Sequence, residues 1–162
     1  MSEPGAPAYA ELYCLSNFSF QRGASHPEEL VARAARLGYS ALAITDECTM
    51  AGVVRAHRAA QAAGLDLVIG SELVLDDGTT VVALAPHRRA YGQLCALISL
   101  ARTLAPKGRY RLGRSDLLDA LPDCLAILWV TPGLAPDTAE WCAGCFGDRG
   151  WLGVGCLRDG HD

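Results

Sequence analysis

The chain has 162 residues, of which 51% are hydrophobic and 20% are charged, a composition typical of globular proteins and not of disordered tails. Its formal net charge of −4 argues against broad electrostatic binding of this segment to nucleic acid. No apolar run approaches the ~20 residues of a membrane span, and the N-terminus lacks the basic and apolar regions of a secretory signal. We therefore expect a cytoplasmic domain, or most of one, with no membrane partner.

The first part of the chain alternates between strand and helix patterns, at about thirty residues per unit, which is typical of parallel βαβ construction. Apolar runs without alternation predict strands that are covered on both faces. The predicted elements are, in order, a strand at 10–15, a helix from a capping box at Ser25–Glu28 to Gly38, a strand at 41–45, a helix at about 50–63, a strand at 67–75, a two-residue turn at Asp77–Gly78 and a strand at 79–84.

The second part of the chain is predicted to be less regular and to end on a strand. Its elements are a helix at 90–104, a basic loop at 106–113, a short helix at 115–121, a strand at 125–130, a helix at 136–146 and a last strand at 151–157. A parallel barrel strand needs a following helix and a neighbouring strand. On this basis the chain is expected to stop in the middle of a fold.

Seven cysteines form an odd set, and most of them lie inside apolar runs, where a reduced cysteine acts as a small hydrophobic side chain. This usage favours a reducing compartment over a disulfide framework. Trp141, Cys142 and Cys145 have the spacing of a Trp-Cys-x-x-Cys redox motif. However, the pair is predicted near the end of a helix and not between a strand and the following helix, so structural thiols are expected.

Five segments of the chain form a series of motifs: ELYCLSNFSFQRG at 11–23, ASHPEEL at 24–30, ALAITD at 41–46, GSE at 70–72 and AYGQL at 90–94. In order and spacing they resemble the PHP (polymerase and histidinol phosphatase) domain of bacterial C-family DNA polymerases. Residues 14–20 and 45–48 are most similar to the error-prone, damage-inducible α subunit. The resemblance implies an α/β fold, a PHP-type distorted (β/α)7 barrel. Residues 1–162 would form a partial PHP domain, with the polymerase palm, fingers and thumb absent from this chain.

The resemblance also locates a metal site, in which His, Asp and Glu ligands hold two or three ions that activate water. Four of the ligand positions are lost in this sequence. Tyr13 and Leu15 stand where the first motif has two histidines, and neither offers an imidazole lone pair. Arg22 stands at the aspartate position, where its charge would repel a cation, and Thr80 stands about where the hairpin histidine is expected.

Three carboxylates remain at the family's ligand positions. The Thr-Asp-His of the second motif is replaced by a sequence ending in Asp46-Glu47, and Glu72 is retained. These three side chains could hold one weakly bound hard cation, or they could be ordinary carboxylates at strand ends. We interpret them as vestigial. No catalytic residue, metal or other cofactor is expected for this segment.

The loop after residue 106 concentrates basic residues around a tyrosine. Interleaved cations and aromatic rings are typical of single-strand nucleic-acid contacts, although arginine-rich loops are also ordinary solvated surface. The candidates for contact with nucleic acid or with a partner are Lys107, Arg109, Tyr110, Arg111 and Arg114.

For the parent chain, the resemblance implies DNA-directed DNA synthesis past lesions, with Mg²⁺ as the polymerase cofactor. It implies three partners: the rest of the polymerase chain, DNA through the parent protein, and a sliding clamp reached through a polymerase-like adaptor. This segment would then be a structural module with a degenerate metal site. Two alternatives stay open: a metal-dependent PHP phosphoesterase or nuclease, and a free-standing interaction domain from a truncated gene.

Overall fold

The structure is a computed structural model that describes residues 8–155. The described chain divides between Ser71 and Glu72 into two compact units of mixed α/β structure. Residues 156 and 157 of the predicted last strand lie outside the described residues. Within the described part of the chain, no helix is both long and apolar enough to cross a membrane.

The first unit alternates strands with helices, as predicted. Its elements are β1 (Ala10–Glu11), α1 (Pro27–Leu37), β2 (Ala41–Ile44), α2 (Val53–Ala63) and the start of β3 (Asp66–Val74), a strand that continues past the division. β1 pairs with β2, and β2 pairs with β3, both in parallel, with Leu42 opposite Leu67. The prediction of parallel βαβ construction is therefore confirmed for this unit.

Both helices of the first unit end at glycines in the left-handed region, Gly38 (φ 75°) and Gly64 (φ 65°), as the sequence predicts. The start of α1 differs from the prediction by one residue. The backbone N–H of His26 donates to the Glu29 carboxylate at 2.8 Å, so the capping interaction joins these two residues and not Ser25 and Glu28. The Ser25 backbone is used elsewhere, because its carbonyl accepts from the Asn17 N–H.

The core of the first unit lies where α1 and α2 pack on β2. Small alanines on both helices allow close approach, and each larger aliphatic side chain that leaves water contributes about 1.5–3 kcal/mol. The buried cluster comprises Val31, Ala34, Leu42, Ile44, Ala56, Ala60 and Leu65.

The second unit has an antiparallel strand pair extended by a parallel strand. Its elements after β3 are β4 (Thr80–Ala85), α3 (Arg88–Thr103), α4 (Arg114–Leu117), β5 (Leu125–Trp129), α5 (Pro136–Phe146), a 3-10 turn (Gly147–Arg149) and β6 (Gly150–Gly153). β4 pairs with β5 in antiparallel orientation, and β5 pairs with β6 in parallel. The bounds of α5 are those predicted, whereas the short helix at 115–121 is a single turn at 114–117.

The hairpin turn before β4 has one residue more than predicted. The Leu75 N–H donates to the Thr79 carbonyl at 2.8 Å, which leaves Asp76, Asp77 and Gly78 in the loop. Gly78 has φ 84°, the left-handed conformation that closes a three-residue hairpin loop. The predicted Asp-Gly signal was therefore right about the turn and wrong about its length.

A charged cluster connects α3 to Asp123, which lies two residues before β5. Arg89 donates from two guanidinium nitrogens to the two carboxylate oxygens of Asp123, and the Gln93 amide donates to the same carboxylate. The Asp123 N–H donates in return to Gln93 Oε1 at 3.1 Å. The hydrogen bond from Arg89 is the largest cause that lowers the pKa of Asp123, to about 2.

Because the folded pKa of Asp123 lies below its unfolded value, the ionised carboxylate stabilises the fold above pH ~4, and this contribution is lost as the pH falls towards 2. We expect Asp123→Asn to lower the melting temperature at pH 7, and the difference from wild type to shrink between pH 4 and pH 2. Thermal unfolding followed by circular dichroism measures both. Asp119→Asn, at an exposed carboxylate, is the control. A difference that does not change with pH would contradict the assignment.

Candidate functional site

The candidate site is built around a buried carboxylate that follows β2. Asp46 is 1% exposed, and its carboxylate accepts three hydrogen bonds from the loop that follows β1. The Ser16 N–H donates at 2.7 Å, the Ser16 hydroxyl at 2.6 Å and the Ser19 hydroxyl at 2.7 Å. We call Asp46, Ser16 and Ser19 the Asp46 cluster. It fixes the loop to the end of β2.

Backbone contacts hold the loop on both sides of the Asp46 cluster. The Thr45 N–H donates to the Cys14 carbonyl at 2.9 Å, and the Cys14 N–H donates to the Thr45 hydroxyl at 3.0 Å. At the far end of the loop, Gly23 passes so close to Ser16 that an added Cβ would lie 1.9 Å from the Ser16 carbonyl oxygen. The Ser71 hydroxyl donates to the Asp46 carbonyl at 2.7 Å.

Three sequence-predicted positions that are distant in sequence come together beside this cluster. Arg22 Nη1 lies 2.9 Å from Glu47 Oε2, and Arg22 Nη2 donates to the Tyr13 hydroxyl at 3.4 Å. We call Arg22, Tyr13 and Glu47 the Arg22 bridge. The Arg22 and Glu47 side chains are 40% and 29% exposed, so the bridge is partly solvated.

Glu72 and Thr80, two further sequence-predicted positions, belong to the second unit. Glu72 is fully buried within β3, and Thr80 is the partly buried first residue of β4. Across residues 8–155, no three His, Cys, Asp or Glu side chains lie together in an arrangement that could hold a metal ion.

The residues of the first unit do not fit the metal ions that the PHP resemblance implies. Three of the roughly four acceptor positions of the Asp46 carboxylate already receive protein hydrogen bonds. Leu15 has no ligand atom, and the guanidinium of Arg22 places a fixed positive charge beside Glu47. The chemistry of this donor set favours hydrogen bonding within the protein over cation binding.

The tyrosine of the basic loop is used inside the second unit. The Tyr110 hydroxyl accepts from the Val74 N–H at 3.3 Å, and the Arg102 guanidinium lies over its ring, 5.2 Å from the centroid. The Arg111 N–H donates to the Ala101 carbonyl, which holds the loop against the last turn of α3. The Tyr110 ring is therefore engaged on one face by a cation.

The predicted contact residues around Tyr110 fall into two groups. Arg114 donates to Asp77 at 2.6 Å and to the Thr138 hydroxyl at 2.8 Å, and it lies over the Trp141 ring. Arg111 forms a more exposed ion pair with Asp76. By contrast, Lys107 and Arg109 are exposed and form no ion pair within residues 8–155. Contact of this loop with nucleic acid or with a partner stays a prediction.

The Cys142 and Cys145 thiols lie one turn apart on α5, within the helix and not before it. Burial raises the pKa of both thiols. A reactive redox pair needs a lowered thiol pKa, so this environment favours structural cysteines, as the sequence predicts.

Sequence reasoning missed the serines of the Asp46 cluster. The sequence pattern assigns no role to Ser16 or Ser19 and no hydrogen-bond partner to Asp46. A signal was present, since Asp46 follows a continuous apolar strand, and two serines, Ser16 and Ser19, follow the neighbouring predicted strand at 10–15. A carboxylate buried at such a position needs hydrogen-bond donors, and hydroxyl groups at the end of the neighbouring strand can supply them.

The close approach at Gly23 predicts that replacement by alanine changes the free energy of unfolding in opposite directions at Gly23 and at Gly92. Gly23→Ala forces a clash with the Ser16 backbone and should lower the free energy of unfolding by about 3 kcal/mol or more. Gly92→Ala, in the interior of α3 with no atom near the added methyl group, should raise it by about 0.5–1 kcal/mol. Urea unfolding measures both. Equal effects at the two glycines would contradict the described loop geometry.

The contacts of Arg114 predict that this side chain stabilises the fold. Its effect can be distinguished from that of removing an exposed positive charge elsewhere. Arg114→Gln removes its ion pairs and its contact with Trp141, and we expect a loss of about 1–2 kcal/mol in the free energy of unfolding. Arg109→Gln makes the same change of charge at an exposed side chain and should leave stability within about 0.5 kcal/mol of wild type. Chemical denaturation of the two variants side by side tests this. A larger loss at Arg109 would be the contrary result.

Comparison with known proteins agrees with the fold. The PHP domain family matches residues 11–133. The N-terminal regions of error-prone DNA polymerases from Dechloromonas aromatica and Alkalilimnicola ehrlichii are 57% and 58% identical to this chain, over 91% and 95% of its length. The chain spans about 15% of the length of these curated relatives.

Solved structures share the fold at low sequence identity. An amidohydrolase from Chromobacterium violaceum, solved with bound sulfate and no metal, matches 91% of this chain and 76% of its own, with a TM-score of 0.62 and 19% identity. A two-domain protein from Bacteroides vulgatus, described as containing a predicted PHP-like metal-dependent phosphoesterase, matches 85% of this chain and 42% of its own, with a TM-score of 0.60 and 17% identity. By its family match, this chain belongs to the PHP domain family.

Proposed function

We propose that this chain is the N-terminal PHP module of an error-prone DNA polymerase and that it serves there as a structural module. The first support is similarity: the matched relatives are error-prone DNA polymerases, and the match falls in their N-terminal regions. In this proposal residues 1–162 are part of a PHP domain, and the residues that carry polymerase chemistry are elsewhere in a longer cytoplasmic chain.

The single observation that carries the structural role is the Asp46 cluster. In a hydrolase of this fold the strand-end carboxylate would present its lone pairs to metal ions. Here the same carboxylate is buried and accepts three short hydrogen bonds from Ser16 and Ser19. Hydrogen bonds to a charged group contribute about 1.5–3 kcal/mol each, so the carboxylate stabilises the loop instead of activating water.

For the parent polymerase the proposal includes template-directed DNA synthesis past lesions, with Mg²⁺ as its cofactor. It includes DNA as substrate and a sliding clamp as partner, reached through a polymerase-like adaptor. Similarity to error-prone DNA polymerases supports the DNA synthesis, and the family resemblance alone implies lesion bypass, Mg²⁺ and the clamp. The exposed cations Lys107 and Arg109 are the residues of this module that would meet DNA or a partner.

Metal-dependent phosphoester hydrolysis is the second candidate, because the same fold occurs in the Bacteroides vulgatus protein described as a PHP-like phosphoesterase. In the first unit it would require Asp46 and Glu47 as ligands. Asp46 would then have to exchange its serine hydrogen bonds for a metal ion, and Glu47 would have to release Arg22. These two exchanges make hydrolysis the weaker proposal.

A domain graft tests the proposed function. This chain would replace the matching N-terminal region of the Dechloromonas aromatica error-prone DNA polymerase, and primer extension on a templated DNA substrate would be measured. We expect the chimera to retain extension, and deletion of the same region to abolish it. If the chimera is folded and inactive, the chain does not act as a polymerase module.

Within the same chimera, Asp46→Asn separates a structural carboxylate from a catalytic one. Replacing the charged acceptor should lower the free energy of unfolding of the module by about 2–4 kcal/mol. Primer extension should fall in parallel with the folded fraction and recover on cooling. Asp66→Asn, at the exposed start of β3, is the matched control. Unchanged stability with loss of a metal-dependent activity would favour the hydrolase.

A further inference from the structure

We propose that the guanidinium of Arg22 is a built-in substitute for a metal cation at this site. The inference rests on the structural role proposed above and extends it to the residue that makes that role independent of metal. It starts from the disagreement between the PHP resemblance, which implies bound ions, and a donor set that does not fit them.

The Arg22 guanidinium contacts two segments of the first unit. Arg22 uses two different nitrogens to reach two different segments: Nη1 pairs with Glu47 after β2, and Nη2 donates to Tyr13 after β1. One cation thus connects the ends of two neighbouring parallel strands. The three residues of the Arg22 bridge all stand at positions where the family has metal ligands, so the side chains that replaced the ligands interact with one another.

Negative charge is concentrated just after the end of β2. Asp46 and Glu47 are consecutive carboxylates, and the groups of Ser16 and Ser19 that donate to Asp46 carry no charge. Glu47 N–H also donates to the Ser19 hydroxyl at 3.0 Å, which keeps the two carboxylates on the same loop. The Arg22 guanidinium supplies a positive charge beside Glu47. An arginine side chain keeps its positive charge in proteins, so this cation does not depend on a bound ion.

Hydrogen bonds fix the backbone of the turn that carries Arg22. The N–H groups of Arg22 and Gly23 both donate to the Ser19 carbonyl, at 3.0 and 2.9 Å. Gln21, just before Arg22, has φ 63°, a conformation that a residue other than glycine rarely adopts. The arginine therefore projects from a defined turn and not from a free loop.

A tethered cation and a bound ion differ in one measurable way. An ion stabilises the protein only in proportion to its free concentration relative to its Kd, whereas a side chain is present at every concentration. Wild-type stability should therefore be indifferent to divalent ions. Replacing the guanidinium with a carboxylate should restore a demand for a cation, because two facing carboxylates repel each other until a cation neutralises them.

The test compares melting temperatures of the 162-residue chain in EDTA and in 1 mM MnCl₂ or ZnCl₂, with metal content by elemental analysis. Arg22→Gln should melt about 1–3 °C below wild type and stay indifferent to metal. Arg22→Asp should melt lower still in EDTA and recover about 3 °C or more with Mn²⁺ or Zn²⁺. Arg33→Asp, the same charge change at an exposed residue of α1, should show no metal response.

A second set of variants keeps the test decisive if Arg22→Asp does not fold. If the guanidinium acts mainly on Glu47, the double variant Arg22→Gln/Glu47→Gln should regain part of the melting temperature lost in Arg22→Gln. Three results would overturn the proposal: an unchanged melting temperature in Arg22→Gln, a wild-type chain that Mn²⁺ or Zn²⁺ stabilises, or no recovery in the double variant. None of these readouts involves DNA synthesis, so their failure is distinguishable from failure of the domain graft.

Discussion

The first unit depends on one buried carboxylate and its three hydrogen-bond donors. Asp46 lies at the point where β2 ends, and it receives its donors from the loop that follows β1. A buried charge without donors would cost several kcal/mol, so the serines and the aspartate need one another. The close passage of Gly23 past Ser16 follows from this arrangement, because the loop must turn back sharply to present both hydroxyl groups.

This arrangement shows how groups of the protein itself can hold the loops at the strand ends of this PHP unit. In a metal site, the ions bind the loops that end the parallel strands and hold them together. In this chain the hydrogen bonds of the Asp46 cluster hold the buried part of these loops. The Arg22 bridge connects their more exposed part. The loops at the strand ends of the first unit are thus held by side chains and backbone of the chain itself, in line with the structural role that we propose.

Much of the fold could be predicted from sequence, because it follows from local signals. Gly38 and Gly64 end their helices as their positions indicate, and α5 begins at Pro136 as predicted. The errors occur where neighbouring residues offer equivalent chemistry. Ser25 and His26 could each begin α1, and the choice depends on the Asn17 backbone, which takes the Ser25 carbonyl. Boundaries of this kind depend on tertiary contacts that no local pattern contains.

The sequence predicted several residues of the candidate site, but it did not predict which of them contact one another. The resemblance identified Tyr13, Arg22 and Glu47 separately, as lost or altered ligands. That they contact one another is a property of the folded chain, since 34 positions separate the first from the last. The roles of Ser16 and Ser19 also required the structure. A polar residue at the end of a strand can face water or a buried partner, and the sequence does not distinguish these two cases.

The central claim is that this PHP module has exchanged metal chemistry for internal contacts, and metal content with phosphoester turnover tests it most directly. The wild-type protein would be purified without chelators, analysed for manganese, zinc and iron, and assayed on a generic phosphodiester with added Mn²⁺ or Zn²⁺. Our account predicts less than stoichiometric metal and no turnover above the rate without protein. Stoichiometric metal, together with turnover that Glu72→Ala abolishes, would contradict it and restore the hydrolase.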